Sequence, residues 1–300
     1  MKKIDFKNKK VIVISITAVS IILVIFISIL IILHYKKKNE IKLETEIYSE
    51  EMMQVQENAI LEEQERKIQE EKEAKRFNPL NEEELEKMSK IYGHSDIKRV
   101  FLTFDDGPTK QVTPYILDLL KQENIKATFF VLGNRVEANK ELVKREYEEG
   151  HFIGSHGYSH KYSAIYESLW SCADEYNKTN ELIRSAIGKD NYNALVFRFP
   201  GGSVGGPYND LKKEAVDMFK NSGVASLDWN ALTGDAEGAT TKEKMMEYLY
   251  NTTQDKTSVV LLMHDSADKI LTYETLPDII GYFRDNGYQF QTVYDVIGRD

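Results

Sequence analysis

Residues 11–33 read VIVISITAVSIILVIFISILIIL, a run with no charge. A helix of that length reaches across a bilayer core of about 30 Å, so this part of the chain must fold apart from the rest. A cleaved signal peptide would have a shorter apolar core and a small-residue exit site. The run instead ends IILHYKKKN, without one. The reading is an uncleaved signal anchor over 11–33, with residues 1–10 as a cytoplasmic tail. Five lysines precede the span (Lys2, Lys3, Lys7, Lys9 and Lys10) and four follow it (Lys36, Lys37, Lys38 and Lys42). The positive-inside rule therefore favours a cytoplasmic N-terminus by a narrow margin.

Residues 34–96 read as a charged, mostly helical stalk or linker. The stretch from Asn39 to Phe77 is rich in Glu, Gln and Lys and contains neither Gly nor Pro, so helix propensity is high throughout. Ile47, Leu61 and Ile68 do not keep a heptad. Self-association through a coiled coil is allowed but not demanded, and a solvated stalk is the simpler reading. Pro79 ends this segment. A short helix follows, with Asn81 as N-cap and Gly93 at its close.

Residues 97–300 have globular texture. A formal charge of −9 argues against a nucleic-acid partner, which needs a basic face. The single cysteine, Cys172, permits no intrachain disulfide and no thiolate metal site. Short β-rich runs alternate with helical ones. The strand readings are 99–104, 127–133, 151–156, 195–200, 224–229, 258–264 and 288–293. This alternation predicts a parallel sheet with helices outside, an α/β fold of the (β/α) barrel type, distorted or incomplete. No glycine-rich dinucleotide or phosphate loop follows the first strand.

In such barrels the reactive groups sit at the C-terminal ends of the strands. Asp105 and Asp106 end the first strand in LTFDDGPT. Taken alone, the adjacent carboxylates followed by Gly107 and Pro108 read as a turn. His156 ends the third strand and His160 follows in SHGYSH. Arg198 ends the fourth in FRFPGG, Asp228 the fifth in SLDW, and His264 the sixth in LLMHD. Five strands thus deliver polar groups to one mouth. His156 and His160 are four apart, metal-ligand spacing if the segment makes a helical turn. With a carboxylate beside them they make a two-His, one-carboxylate site with open positions. His34, His94 and His151 are given no role.

The ordered motifs TFDDGP, SHGYSH, RFPGG, LDW and LLMHD resemble those of the NodB-homology polysaccharide deacetylases, carbohydrate esterase family four. The resemblance covers about residues 98–300 and implies a distorted (β/α) barrel that removes acetyl groups from N-acetylated glycans with one divalent metal. By that resemblance Asp106, His156 and His160 bind the metal, Asp105 is the general base, and Arg198 holds it. His264 is the general acid, oriented by Asp228. Pro200, Gly201 and Trp229 shape the substrate pocket, and the Gly201 N–H faces the oxyanion. The metal is expected to be Zn2+, with Co2+ and Ni2+ able to use the same ligands. A Zn2+-like ion lowers the pKa of bound water to about 7, so a base of low intrinsic pKa suffices.

Two departures stand out. Gly201 occupies a position where the family usually has Tyr, and Gly157 one where it usually has Ser or Thr. The membrane anchor makes peptidoglycan the nearest substrate, at its N-acetylglucosamine, with the catalytic domain outside the cell membrane. Muramic acid, chitin oligomers, poly-N-acetylglucosamine and acetylated xylan are the rival glycans. From another class, the domain could be an inactive surface glycan-binding module.

Overall fold

The computed structural model describes residues 6–299 of the chain. Residues 1–5 of the expected tail lie outside them. The chain divides into two units, Met1–Glu71 and Lys72–Asp300. The described residues of the first form a single helix, α1 (Phe6–Arg76), which runs on a few residues past Glu71. From Val19 to Leu33 its large apolar side chains are all exposed. A helix apolar on every side has no solvated face and is suited to lipid. An 18-residue stretch of α1 has a mean hydropathy of 2.5, long and apolar enough by length and composition to cross a membrane.

In the second unit, α2 (Glu82–Ser89) begins as expected at Asn81. The Asn81 side chain accepts from the Glu84 N–H, and the Glu84 carboxylate accepts from the Asn81 N–H, a reciprocal capping box. Among the described residues eight strands then follow: β1 (Arg99–Asp105), β2 (Thr128–Val131), β3 (Phe152–Ser155), β4 (Val196–Phe197), β5 (Ala225–Ser226), β6 (Ala231–Leu232), β7 (Ser258–His264) and β8 (Gln289–Phe290). Their spatial order is β5-β4-β3-β2-β1-β7-β6, with β8 beside the start of β1, and every pairing is parallel. The outer strands β5 and β6 are joined by residues 227–230 alone. Five residue steps cover at most about 17 Å, whereas seven strands laid flat would hold their edges about 29 Å apart. The sheet must therefore curl until its edges nearly meet, which is the distorted barrel.

The helices connecting these strands are α3 (Thr113–Gln122), α4 (Gly133–Ala138), α5 (Lys140–Glu148), α6 (Tyr162–Ile165), α7 (Leu169–Ile187), α8 (Asn209–Asn221), α9 (Lys242–Thr253) and α10 (Ile270–Asp285), with α11 (Val293–Ile297) after β8. Both sheet faces are buried. Val100, Leu102 and Phe104 of β1 belong to the larger core, with Val259, Leu261 and Met263 of β7 and side chains of the helices. Phe101, Phe130 and Val260, one residue out of phase, form the barrel interior. This is the two-residue period of a strand covered on both sides.

The boundary expected at residue 97 moves toward the N-terminus. Phe77, Leu80, Met88 and Ile91 are all buried. Phe77 packs on Tyr192, their ring centroids 4.8 Å apart. Leu80, Met88 and Ile91 join Val293 and Ile297 of α11 in the inner core, so α2 and α11 close the barrel floor. The composition of 77–96 is charged, but these four apolar residues face inward. A fragment starting at residue 97 loses four buried side chains worth about 1.5–3 kcal/mol each, comparable with a whole domain's stability. It is expected to show no cooperative urea transition, whereas one starting at residue 72 unfolds in a single step.

Candidate active site

The register of β1 against β7 makes Asp105 and His264 Cα partners, so these two groups stand side by side at the strand ends. Asp105 shares its face of β1 with Thr103, two residues back, and its side chain turns into the barrel. Asp106 has φ 75°, a left-handed torsion that Asp tolerates better than most residues. It takes the chain out of the strand, and the two carboxylates part. Gly107 is required by close approach rather than torsion, since a Cβ there would lie 2.0 Å from the buried Asp265 carboxylate.

Arg198, fully buried, lies under the site. Its Nη1 donates to Asp105 Oδ1 at 2.8 Å and to Thr103 Oγ1 at 2.6 Å. Its Nε donates to the Leu227 carbonyl and its Nη2 to the Asp228 carbonyl, both at 2.9 Å. The guanidinium thus also satisfies the backbone of the segment that crosses the sheet's open edge. Burial raises the Asp105 pKa above the ordinary value, and Arg198 and His264 offset only part of that rise.

His156 and His160 sit on a loop, not on the expected helical turn. Gly157 and His160 take left-handed torsions, φ 79° and 57°, and these bring the imidazoles together with centroids 5.2 Å apart. Glu175 of α7 holds the loop by accepting from the Tyr158 and Ser159 N–H groups and the Ser159 hydroxyl, at 2.6–2.8 Å. His156 Nδ1 lies 2.7 Å from the Arg198 carbonyl. That contact needs a proton on Nδ1 and leaves Nε2 as a lone pair. Burial, more than any neighbouring charge, pushes the His156 pKa down to about 3, so the ring stays neutral.

Asp106 Oδ1 lies 3.7 Å from His156 Nε2 and 3.4 Å from His160 Nε2. It is buried with no hydrogen-bond partner. One ligand atom from each of the three residues falls within 4.8 Å of the other two. Acceptors that converge without a donor carry a desolvation cost that a cation removes. Two imidazoles and a carboxylate fit a divalent ion of the Zn2+ class.

The expected pairing of Asp228 with His264 is not formed. His264 Nδ1 lies 3.0 Å from Asp235 Oδ1, and its backbone N–H donates to Asp235 Oδ2 at 2.8 Å. Thr272 also donates to Asp235 Oδ2, at 2.9 Å. Burial alone would lower the His264 pKa, but Asp235, with Asp105 and Asp106 beyond it, pushes it up to about 9. The Asp228 carboxylate is taken by the Ser203 N–H and hydroxyl, so it braces the glycine-rich turn instead. Asp235 follows β6, a two-residue strand absent from the sequence reading. The apolar pair before Thr233-Gly234-Asp235 repeats the strand-end pattern and was the available signal. Asp235→Asn is expected to move the alkaline limb of the pH–rate profile down by about one unit or more, while Asp228→Asn leaves that limb in place. Steady-state rates from pH 6 to 10 check both.

Asp105, Asp106, His156, His160, Gly201, Trp229 and His264 all line one cleft of about 480 Å³. Arg198 supports it from below. Pro200 stands behind it, its carbonyl accepting from the Tyr166 hydroxyl at 2.7 Å.

Residues 92–220 match the family described as polysaccharide deacetylase. A peptidoglycan-N-acetylglucosamine deacetylase of Bacillus cereus is 34% identical over 203 residues, covering 66% of this chain and 70% of that protein. One of Listeria monocytogenes is 33% identical over 201 residues, covering 67% of this chain. The chain spans only 39% of the Listeria protein's length. A Streptococcus mutans CE4 esterase structure superposes with a TM-score of 0.63 at 32% identity, covering 73% of this chain and 93% of that one.

Proposed function

Because the chain belongs to the polysaccharide deacetylase family, we propose that it hydrolyses the acetamido groups of cell-wall glycan, and that the N-acetylglucosamine of peptidoglycan is its substrate. What carries this reading is one cleft that holds three convergent ligands beside an arginine-held carboxylate and a carboxylate-held histidine. Neither held group has a structural need to face a cleft, which favours an enzyme over an inactive glycan-binding module.

Asp106, His156 and His160 would hold the divalent ion. Bound there, it supplies Lewis acidity toward the acetyl carbonyl and the attacking water. Asp105, aimed by Arg198, accepts the proton of that water. The Gly201 N–H faces the oxygen on which negative charge develops. His264, kept protonated by Asp235, donates its proton to the departing sugar nitrogen, so acetate and a free amine leave. We further propose Zn2+ as the ion and a single-pass anchor within residues 11–33, with the N-terminus in the cytoplasm and the catalytic domain outside.

Two measurements test the reading. Muropeptide mass spectra from cells with and without the protein should differ by the mass of acetyl on glucosamine; a difference on muramic acid would replace the proposed sugar. Chelation should abolish amine release, and Zn2+, Co2+ or Ni2+ should restore it. Full activity in metal-free protein would refute the three-ligand centre.

A further inference from the structure

Two tyrosines of one short segment grip the turn that carries Gly201. Tyr166, which caps α6, is buried and donates to the Pro200 carbonyl. Tyr162, the first residue of α6, faces the same turn from the cleft side. A methyl group on Gly201 would lie 2.4 Å from Tyr162 Oη, so the hydroxyl occupies the space a side chain at 201 would need. The Tyr162 ring centroid is 5.7 Å from that of His160, and Tyr162 lines the cleft with Asp106, His156 and His264.

Other tyrosine hydroxyls near the site are committed: Tyr166 to Pro200 and Tyr158 to Glu137. Tyr162 Oη makes no hydrogen bond to any described residue and stays open to the cleft. A donor held beside the Gly201 amide and the three-ligand centre meets the part of a substrate that must enter deepest. For an acetylated glycan that part is the acetyl group, which carries the bond to be cut.

We propose that Tyr162 is a catalytic residue whose hydroxyl donates a hydrogen bond to the acetyl oxygen of the substrate, beside the Gly201 N–H. Such a bond strengthens as charge gathers on that oxygen. The assignment rests on the deacetylase reading for its substrate, but acetate, the product, offers the same oxygen without requiring turnover.

The test compares full-length wild type and Tyr162→Phe, both loaded with zinc. Acetate titrated by calorimetry should bind the variant about tenfold more weakly or worse. On an N-acetylated glycan, kcat should fall about tenfold or more, with KM within about threefold. Zinc content and unfolding midpoint should not change. Equal acetate affinity in wild type and Tyr162→Phe would overturn the assignment. So would a loss confined to KM, or zinc released by Tyr162→Phe. A wild type inactive on every glycan, with acetate binding that still depends on Tyr162, would retire the deacetylase reading and leave the donor in place.

Discussion

Asp105→Asn is expected to lower kcat by about 10²–10⁴-fold, the usual contribution of a general base, while the protein keeps its metal. The two outcomes separate because the neighbouring carboxylates have different partners. Asp106 is the carboxylate that converges with both histidines, whereas Asp105 Oδ1 is taken by Arg198. An asparagine oxygen can still accept from Arg198, so the buried guanidinium stays satisfied and the fold should persist. The amide cannot take a proton from water. Metal analysis with steady-state rates decides the matter: wild-type turnover would remove Asp105 from the mechanism, and loss of the metal would make it a ligand.

Arg198→Ala should be the most destabilising single change in the site, by about 3–5 kcal/mol. The buried Asp105 carboxylate would lose its counter-ion. The Leu227 and Asp228 carbonyls would lose their donors where the sheet's edges approach. The Thr103 hydroxyl would lose a partner, and the Phe130 ring would lose the cation 4.0 Å from its centroid. Lysine cannot replace four divergent donations with one ammonium, so Arg198→Lys should recover only part of the loss. Urea denaturation reads both variants. A midpoint near the wild type for Arg198→Ala would mean that water takes over these acceptors and that the arginine serves Asp105 alone.

Much of the site was legible because strand ends mark themselves. Asp105, His156, Arg198 and His264 each interrupt or end an apolar run, and parallel topology sends all such ends to one side. Asp235 was missed because β6 has only two residues, too few for a two-residue period to register. The His156–His160 spacing predicted that the two imidazoles meet, but on a helical turn that the structure does not form. A spacing of four fits a helix, yet left-handed torsions at Gly157 and His160 make the same approach in a loop, and torsions are not written in spacing. Phe77, Leu80, Met88 and Ile91 were hidden in a charged segment. Burial there depends on which few positions face the floor, and average composition does not resolve that. Gly107 read as a turn former, and only the approach of Asp265, just past the end of the neighbouring β7, shows why no side chain fits.

The floor built by α2 and α11 also bears on how the domain would carry mechanical load. The chain enters at Arg76 and is fastened at the ends of the strands opposite the cleft. Ile91 O accepts from Ser258 Oγ at the start of β7, Leu80 N–H donates to the Gly223 carbonyl before β5, and Arg299 pairs with Glu84. A pull on residue 76 would be borne by these fastenings and by the strand starts. The loops that carry Asp106, His156 and His160 lie at the other end of the same strands. Under such a pull the domain would loosen first at its base, with the side chains of the cleft still in register.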